Sequence, residues 1–323
     1  MDCFGKHFTL EIFGASHAPA VGITLRGVPA SLPLAPDDFT ADILRRKSGA
    51  KGTTPRIEAD LPEIDDRRAD DGTLTITFAN RNYRDGDYRD FTDIPRPGHA
   101  DFVALAKYGS LRNGWFSGRM TLPLVAAGVV AKKMIAPLRV DAQLLEVGGV
   151  PFSDAAAVEQ ALDTALREGD SLGGLIECRC TGVPVGLGEP FFDSLESLLS
   201  HALFSIPGIR GVEFGDGFAA ARMKGSEHND PFVDAAGHTA RNGAGGINGG
   251  ITNGNPVVLR IAAKPTPSIR KQQHTFNFAS GEMVDYTVPG RHDVCFALRV
   301  PPVVEAVTAC VFADLLSSPA ANL

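Results

Sequence analysis

The sequence lacks the features of a membrane, secreted or nucleic-acid-binding protein. Its longest apolar run, residues 122–131, is far shorter than the roughly 20 residues that span a bilayer. The first residues include Asp2, Lys6, His7 and Glu11 instead of the apolar core of a signal peptide. A net charge of −7 argues against a basic face that covers the whole chain. We therefore predict a cytoplasmic protein that binds a small ligand, and neither a membrane nor nucleic acid.

Cysteine is also scarce, with five residues and no CxxC pair. Cys178 and Cys180 lie in a strand-like alternating run, in which residues two apart point to the same face. Zinc-ligand pairs usually need a tighter turn than this. We expect reduced thiols and no metal site.

No linker rich in proline or serine and no repeat of fixed period divides the 323 residues, so we predict one domain covering residues 1–323. Apolar alternation predicts strands at Phe8–Phe13, Gly22–Leu25, Thr73–Phe78, Leu175–Val185 and Val257–Ala262. Helical spacing predicts helices at Pro36–Ser48, Leu122–Ile135, Ser153–Glu168, Ser194–Ser205 and Val303–Leu316. Ser153 is the predicted N-cap of its helix, which should end at Gly169. Interleaved elements with 35 glycines indicate an α/β or α+β protein.

Two histidines lie in glycine-containing loops. His17 ends the sequence GASH, and His99 lies within RPGHAD. Histidine is the side chain whose ordinary pKa is closest to neutral, so a pair in loops is consistent with proton transfer. Each histidine taken alone is more often structural.

Positive charge is concentrated in residues 45–56, RRKSGAKGTTPR, which hold five cations in twelve residues. Arginine binds phosphate oxygens in a bidentate manner, and threonine hydroxyls add donors. The segment therefore suits a phosphorylated ligand. A solvated basic loop is the alternative.

Three later segments have polar or glycine-rich sequences typical of ligand contacts. The glycine-dense residues 243–254 would let backbone N–H groups approach a ligand, although they match neither a dinucleotide fingerprint nor a P-loop. Residues 264–270, KPTPSIR, could cradle a phosphate at the end of a strand. Arg291-His292-Asp293 offers a carboxylate that could act as a base. The alternatives are a packing turn, a surface turn and a structural ion pair.

Together these segments resemble the chorismate synthase family. The resemblance continues through KYG at 107–109, SGRMT at 117–121 and VAAG at 125–128. It also includes SIPG at 205–208 and GVEFGDGF at 211–218. The similar segments follow one another in order from about residue 8 to residue 312.

The resemblance implies an α+β fold, a β-α-β sandwich with helices between antiparallel sheets, assembled as a homotetramer. It also implies a lyase of the shikimate pathway of aromatic amino acid biosynthesis. Such enzymes eliminate phosphate in an anti-1,4 manner from 5-enolpyruvylshikimate 3-phosphate, giving chorismate. The reaction requires reduced FMN without net oxidation, and NADPH is the reductant in some members.

The resemblance also assigns roles to individual residues. His17 would protonate the leaving phosphate, His99 the reduced flavin, and Asp293 would handle a proton beside the flavin. The implied substrate contacts are Arg45, Arg46, Lys51 and Arg119. The implied FMN contacts are Ser117, Pro207, Gly208, Gly249, Lys264, Pro265, Thr266, Pro267, Ser268 and Arg291. No metal ion is implied.

Several positions depart from the family pattern. Ala15 and Ala18 stand in place of a glutamate and a glycine in the first motif. Trp115, Phe116 and Met120 replace an arginine, a serine and a glutamate, and the basic segment is shortened, with Lys51 where an arginine is usual. A TTGTPI stretch is missing between residues 56 and 73. The alternative hypothesis is a diverged paralogue that binds flavin or a phosphorylated ligand without this activity, or that partners an intact synthase.

Overall fold

The computed structural model describes residues 3–82 and 89–319. In these two ranges no helix is long and apolar enough to cross a membrane. The buried apolar side chains of the two large sheets and of the helices between them form one cluster.

The first sheet contains five antiparallel strands in the order β1-β2-β3-β5-β4. The strands are β1 (Cys3–Phe4), β2 (Thr9–Gly14), β3 (Ala20–Arg26), β4 (Glu63–Arg67) and β5 (Thr73–Ala79). In β5, Leu74, Ile76 and Phe78 are fully buried while the threonines between them are half-buried. This alternation confirms the predicted strand, since side chains of a strand point alternately to its two faces.

The second sheet is also antiparallel, with the order β7-β6-β8-β12-β9. Its strands are β6 (Arg139–Val147), β7 (Val150–Pro151), β8 (Gly174–Thr181), β9 (Ile209–Phe214) and β12 (Val257–Ala263). Cys178 and Cys180 are both fully buried on one face of β8, as predicted. The predicted extension of β8 to residue 185 is wrong, because Gly182 has φ +70° and the extended backbone ends there.

Two helices fill the space between the sheets: α3 (Thr121–Ile135) and α7 (Pro301–Leu316). Almost every residue of both helices is buried, which explains their unbroken apolar sequences. The helices pack closely, since a Cβ built on Gly128 would lie 2.2 Å from the Cβ of Ala306. This layering confirms the predicted α+β sandwich with helices between antiparallel sheets.

The remaining elements surround this core. The helices are α1 (Thr40–Arg46), α2 (Asp101–Tyr108), α4 (Ala155–Glu168), α5 (Leu195–Leu203) and α6 (Gly225–His228). Two hairpins are formed by β10 (Ile247–Asn248) with β11 (Ile251–Thr252), and by β13 (Gln273–Asn277) with β14 (Glu282–Tyr286).

Two predicted helix starts need correction. The segment predicted as one helix from residue 36 begins with a 3-10 turn, Pro36–Phe39, before α1. Helix α4 is capped by Asp154 rather than Ser153, because the Asp154 carboxylate accepts a hydrogen bond from the Ala157 N–H at 3.0 Å. Its predicted end at Gly169 is confirmed, with φ +68°.

Candidate active site

A cavity of about 520 Å³ lies where loops of both sheets meet the segments that precede α3 and α7. It contains both loop histidines, His17 and His99, together with Asp293. The other predicted site residues that line it are Arg46, Ser117, Arg119, Pro207, Gly208, Lys264, Pro265, Thr266, Pro267, Ser268 and Arg291. Segments that lie far apart in the sequence, from His17 to Asp293, thus share one cavity.

Three predicted site residues lie outside the cavity lining. The Arg45 guanidinium forms a bidentate pair with the Glu305 carboxylate, at 2.6 and 2.7 Å. The Lys51 ammonium group, partly exposed, is 2.8 Å from the Glu159 carboxylate. Gly249 lies in the turn between β10 and β11, with open space where a Cβ would stand. Arg45 and Lys51 are thus paired with carboxylates of the chain, and Gly249 lies outside the lining of this cavity.

The turn that carries His17 connects β2 to β3 and is held by side chains from elsewhere. Gly14 takes φ +80°, and the indole Nε1–H of Trp115 donates to its carbonyl at 2.8 Å. The Arg56 guanidinium donates to the hydroxyl of buried Ser16 at 3.1 Å. These contacts fix the backbone on both sides of Ala15 and place His17 at the cavity wall.

The half-buried His99 forms a triad with two buried residues, Asp101 and Arg96. The Asp101 carboxylate receives two hydrogen bonds from Arg96, both at 2.7 Å, and its Oδ1 lies 2.7 Å from Nδ1 of His99. The Arg96 Nη2, which can only donate, also lies 3.0 Å from Nδ1 of His99, but the ionised carboxylate is the nearer partner and can only accept, so the contacts favour an Nδ1 proton directed to Asp101. The neutral imidazole then carries its free lone pair on Nε2.

The charge state of this triad follows from its surroundings. Burial lowers the pKa of His99 below its ordinary value of 6.5, and the hydrogen bond to Asp101 only partly opposes this shift. For Asp101, burial acts against ionisation, but hydrogen bonds from Arg96 and His99 outweigh it and hold the pKa well below the usual range. At neutral pH the site therefore combines a neutral imidazole with an ionised carboxylate.

These pKa shifts predict how stability depends on pH. Burial also lowers the pKa of His292, which lines the same cavity. Both groups have a folded-state pKa below 6.5, so the unfolded chain takes up their protons first as pH falls. We expect their contribution to the free energy of unfolding to be complete above pH 6.5 and to be lost progressively below it. Urea unfolding between about pH 5 and about pH 7.5 measures this loss of stability.

The variant His99→Gln tests this expected pH dependence, and His274→Gln is its control. His99→Gln should reduce the slope of the free energy of unfolding against pH, because one of the two titrating groups is gone. His274→Gln changes an exposed histidine paired with Asp285 on the β13–β14 hairpin, at 2.9 Å, and should leave the slope unchanged. Equal slopes in wild type and His99→Gln would contradict the assignment.

A cluster of buried arginines forms another part of the wall. The two oxygens of the Asp60 carboxylate bind different guanidinium groups, Arg46 at 3.1 Å and Arg119 at 2.8 Å. Burial lowers the pKa of Arg46 to about 10, helped by the neighbouring charges of Arg299 and Arg119. Among the described residues, the buried Nε atoms of Arg46 and Arg299 have no hydrogen-bond partner. The cluster thus carries excess positive charge and spare donors, as a site for an anion requires.

Asp293 joins the basic segment to the residues that precede α7. One carboxylate oxygen accepts the Thr54 backbone N–H at 2.8 Å, and the other accepts from the Arg299 guanidinium at 2.7 Å. Both oxygens are therefore engaged in this structure. The contacts give Asp293 an anchoring function in addition to the proton-handling role that the resemblance implies.

The segment after β12 forms the opposite wall. The Lys264 ammonium group donates to the Gly98 carbonyl at 2.6 Å, and the Arg96 guanidinium donates to the Ser268 hydroxyl at 3.1 Å. The buried hydroxyl of Thr266 has no hydrogen-bond partner among the described residues. Burial, with the nearby charge of Arg210, lowers the pKa of Lys264. The wall presents a cation and a spare hydroxyl to a ligand.

Several residues of the cavity were not predicted as site residues. Arg56, which pairs with Glu58 at 2.8 Å, belongs to the basic run and could have been chosen from it. Arg299 and His292 lie close to Asp293 in sequence. Asp60 carried no sequence signal, since it is one of several acidic residues between positions 58 and 66, and such residues are normally solvated. Within the described residues, no group of three or more His, Cys, Asp or Glu side chains is arranged to hold a metal ion.

Two antiparallel sheets enclosing buried helices, with an arginine-rich cavity that contains histidines, form a site suited to an enzyme that acts on an anionic small molecule. The particular family follows from comparison with known proteins. A family model described as chorismate synthase matches residues 8–316, and the chain belongs to this family.

Individual relatives agree with the family match. A chorismate synthase of Chitinophaga pinensis is 55% identical over 325 residues, covering 98% of this chain and 96% of the relative. One from Dehalococcoides mccartyi is 40% identical over 346 residues, covering 96% and 95% of the two chains. A crystal structure of chorismate synthase superposes with a TM-score of 0.74 over 97% of this chain and 92% of the other, at 24% identity. The last comparison establishes the shared fold.

Proposed function

We propose that this chain is a working chorismate synthase, which eliminates phosphate from 5-enolpyruvylshikimate 3-phosphate to give chorismate. One observation carries the proposal: the cavity brings the two histidines together with Arg46, Arg119 and Arg299, whose donors exceed the internal acceptors. This arrangement suits a reaction in which a phosphate leaves and protons move.

Electrostatics explains what the arginine cluster would do. When the bond between carbon and the phosphate oxygen breaks, negative charge grows on the leaving phosphate. Guanidinium groups already fixed by Asp60 stabilise that charge without having to reorganise. His17, at the same cavity, would deliver a proton to the leaving group, and a second proton is lost from the substrate ring.

The residues present fit a bound flavin mononucleotide. Lys264 and the buried Thr266 hydroxyl offer donors for its polar groups, and Ser117, Pro207 and Gly208 line the same cavity. When bound there, reduced FMN would supply an electron transiently, in a reaction that has no net oxidation. With Nδ1 directed to Asp101, His99 exchanges protons through Nε2.

Two of the departures from the family pattern, Ala15 and Trp115, have defined positions beside the turn that carries His17. Ala15 is buried, and the neighbouring Gly14 carbonyl is bound by Trp115, one of the replaced residues. The changes therefore leave the His17 turn with defined contacts. This favours an active enzyme over the alternative, a paralogue that binds a ligand without activity or partners an intact synthase.

The decisive experiment is anaerobic turnover of 5-enolpyruvylshikimate 3-phosphate with chemically reduced FMN. We expect chorismate and inorganic phosphate to be released in equal amounts. FMN binding without turnover would support the inactive paralogue instead. A gain of activity only after mixing with an intact synthase would support the partner role.

We predict that Lys264→Ala weakens FMN binding by about tenfold or more, because the variant removes a cation held at the cavity wall by the Gly98 carbonyl. Flavin titration followed by fluorescence measures the dissociation constant. Lys271→Ala is the matched control, since Lys271 is an exposed lysine of the same segment paired with Asp170. Unchanged FMN affinity in Lys264→Ala would show that this segment is only a turn.

Assembly and location stay predictions. We propose a homotetramer in the cytoplasm, a single domain over residues 1–323, and NADPH as the reductant of the flavin. Support for assembly comes from the exposure of Phe191, Phe192, Phe218 and Phe232, which are each at least 76% exposed. Burial of these side chains against another subunit would remove their apolar surface from water.

A further inference from the structure

Asn80 lies immediately after β5 and is buried, with 7% of its surface exposed. Its amide nitrogen Nδ2 donates to the carbonyl of Ala15 at 2.9 Å and to the carbonyl of Ala18 at 2.7 Å. These carbonyls flank Ser16 and His17. One side-chain amide thus holds both ends of the turn that presents the histidine.

The other end of the same amide contacts the arginine cluster. The Asn80 Oδ1 accepts a hydrogen bond from Nε of Arg119, whose Nη1 is bound to Asp60. The backbone N–H of Asn80 donates to the Pro19 carbonyl at 2.8 Å, so the residue itself is fixed in place. Both donors and the acceptor of the amide are therefore used, each within the site.

We propose that Asn80 is a positioning residue, which sets the distance between His17 and the Arg119 guanidinium by binding the turn of one and the side chain of the other. The inference rests on the proposed function, in which these groups act on the same leaving phosphate. A general acid and an anion-binding cation must be correctly spaced to act on one phosphate.

Asn80→Asp separates the contact of Asn80 with the His17 turn from its contact with Arg119. The aspartate keeps an oxygen for Nε of Arg119 but places a second oxygen against the carbonyls of Ala15 and Ala18, where the amide donated. The turn is released while the guanidinium stays anchored. We expect kcat to fall by about 100-fold, the effect of a misplacement of about 1 Å, and KM to rise because the added carboxylate offsets part of the positive charge of the cluster.

Two variants control for a general loss of structure. Asn277→Asp makes the same chemical change in the β13–β14 turn, where Oδ1 accepts backbone N–H groups that an aspartate also accommodates. It should leave kcat and KM unchanged. In a His17→Ala background, Asn80→Asp should lower kcat by no more than about twofold further, because the group that it positions is gone.

The single tryptophan of the chain provides a measurement that needs no turnover. Trp115 donates its indole N–H to Gly14, within the turn held by Asn80. Release of the turn should shift its fluorescence emission to longer wavelength in Asn80→Asp, as water reaches the indole, and not in Asn277→Asp. Asn80→Ala provides a second variant if the aspartate prevents folding.

The outcomes distinguish this proposal from the proposed function. A wild-type protein without chorismate formation refutes the function, while the emission shift still reports whether Asn80 holds the turn. An active wild type with unchanged kcat and emission in both Asn80 variants refutes the positioning role. A loss of kcat that is equally large in the His17→Ala background would also refute it, since a structural effect would be additive.

Discussion

We expect His17→Ala to lower turnover of 5-enolpyruvylshikimate 3-phosphate by about 10²–10⁴-fold, the range typical of a general acid. The side chain lies at the cavity that contains the arginine cluster, so its removal deprives the leaving phosphate of a nearby proton donor. His99→Ala should produce a loss of similar size for a different reason. It removes the imidazole whose Nδ1 is fixed by Asp101 and whose Nε2 would exchange protons with the flavin.

Flavin binding distinguishes the two variants. His17→Ala should retain the FMN affinity of the wild type, because its partner in the mechanism is the substrate phosphate. His99→Ala should weaken binding of reduced FMN, and single-turnover kinetics with saturating flavin should still show the slow chemical step. Both measurements are made anaerobically with chorismate detected directly.

The matched control is His274→Ala, which removes a histidine that is also paired with an aspartate through Nδ1, but on an exposed hairpin. It should leave turnover unchanged. Wild-type rates in His17→Ala and in His99→Ala would exclude both from proton transfer, and the anion-binding cluster would then be the main catalytic feature.

Local patterns in the sequence predicted loops and strands, whereas contacts between distant elements depend on the fold. Short motifs contain many of the residues that line the cavity, because residues such as His99 and Lys264 lie in loops whose glycines and prolines are themselves recognisable. Apolar alternation likewise predicted β5, since its pattern depends only on local geometry. The boundary at Gly182 was missed because a positive φ has no unique sequence signature.

Charge pairing explains why Arg45 and Lys51 lie outside the cavity lining. The resemblance implies that both residues contact the substrate, yet each is paired with a carboxylate, from Glu305 at 260 positions from Arg45 and from Glu159 at 108 positions from Lys51. Only the fold brings these carboxylates to the basic run. The sequence does not predict the functions of Asp60 and Asn80 for the same reason, since both depend on partners contributed by other elements.

The second large effect concerns the carboxylate that neutralises the arginine cluster. Asp60→Ala should lower the free energy of unfolding by about 3–5 kcal/mol, the usual cost of removing one partner of a buried ion pair. Arg46, Arg119 and Asp60 are all at least 92% buried, so water cannot replace the lost carboxylate well. Urea unfolding measures the loss, and Asp163→Ala, which removes an exposed partner of Lys51, should cost less than about 1 kcal/mol.

The pH dependence of this loss identifies its cause. The folded-state pKa of Arg46, about 10, lies below its ordinary value of 12.5, so the unfolded state binds more protons between these values and stability rises with pH there. Without Asp60, which raises that pKa, the rise should begin at lower pH. The difference in stability between wild type and Asp60→Ala should therefore shrink as pH approaches 10.

Anions provide an independent check of the same cause. Inorganic phosphate bound at the cluster would replace part of the missing negative charge, so it should raise the melting temperature of Asp60→Ala more than that of the wild type. A loss that neither phosphate nor raised pH diminishes would indicate a packing defect instead of uncompensated charge. The expected pattern would show that the cluster is held in the folded state at an electrostatic cost, which the leaving phosphate relieves as its charge develops.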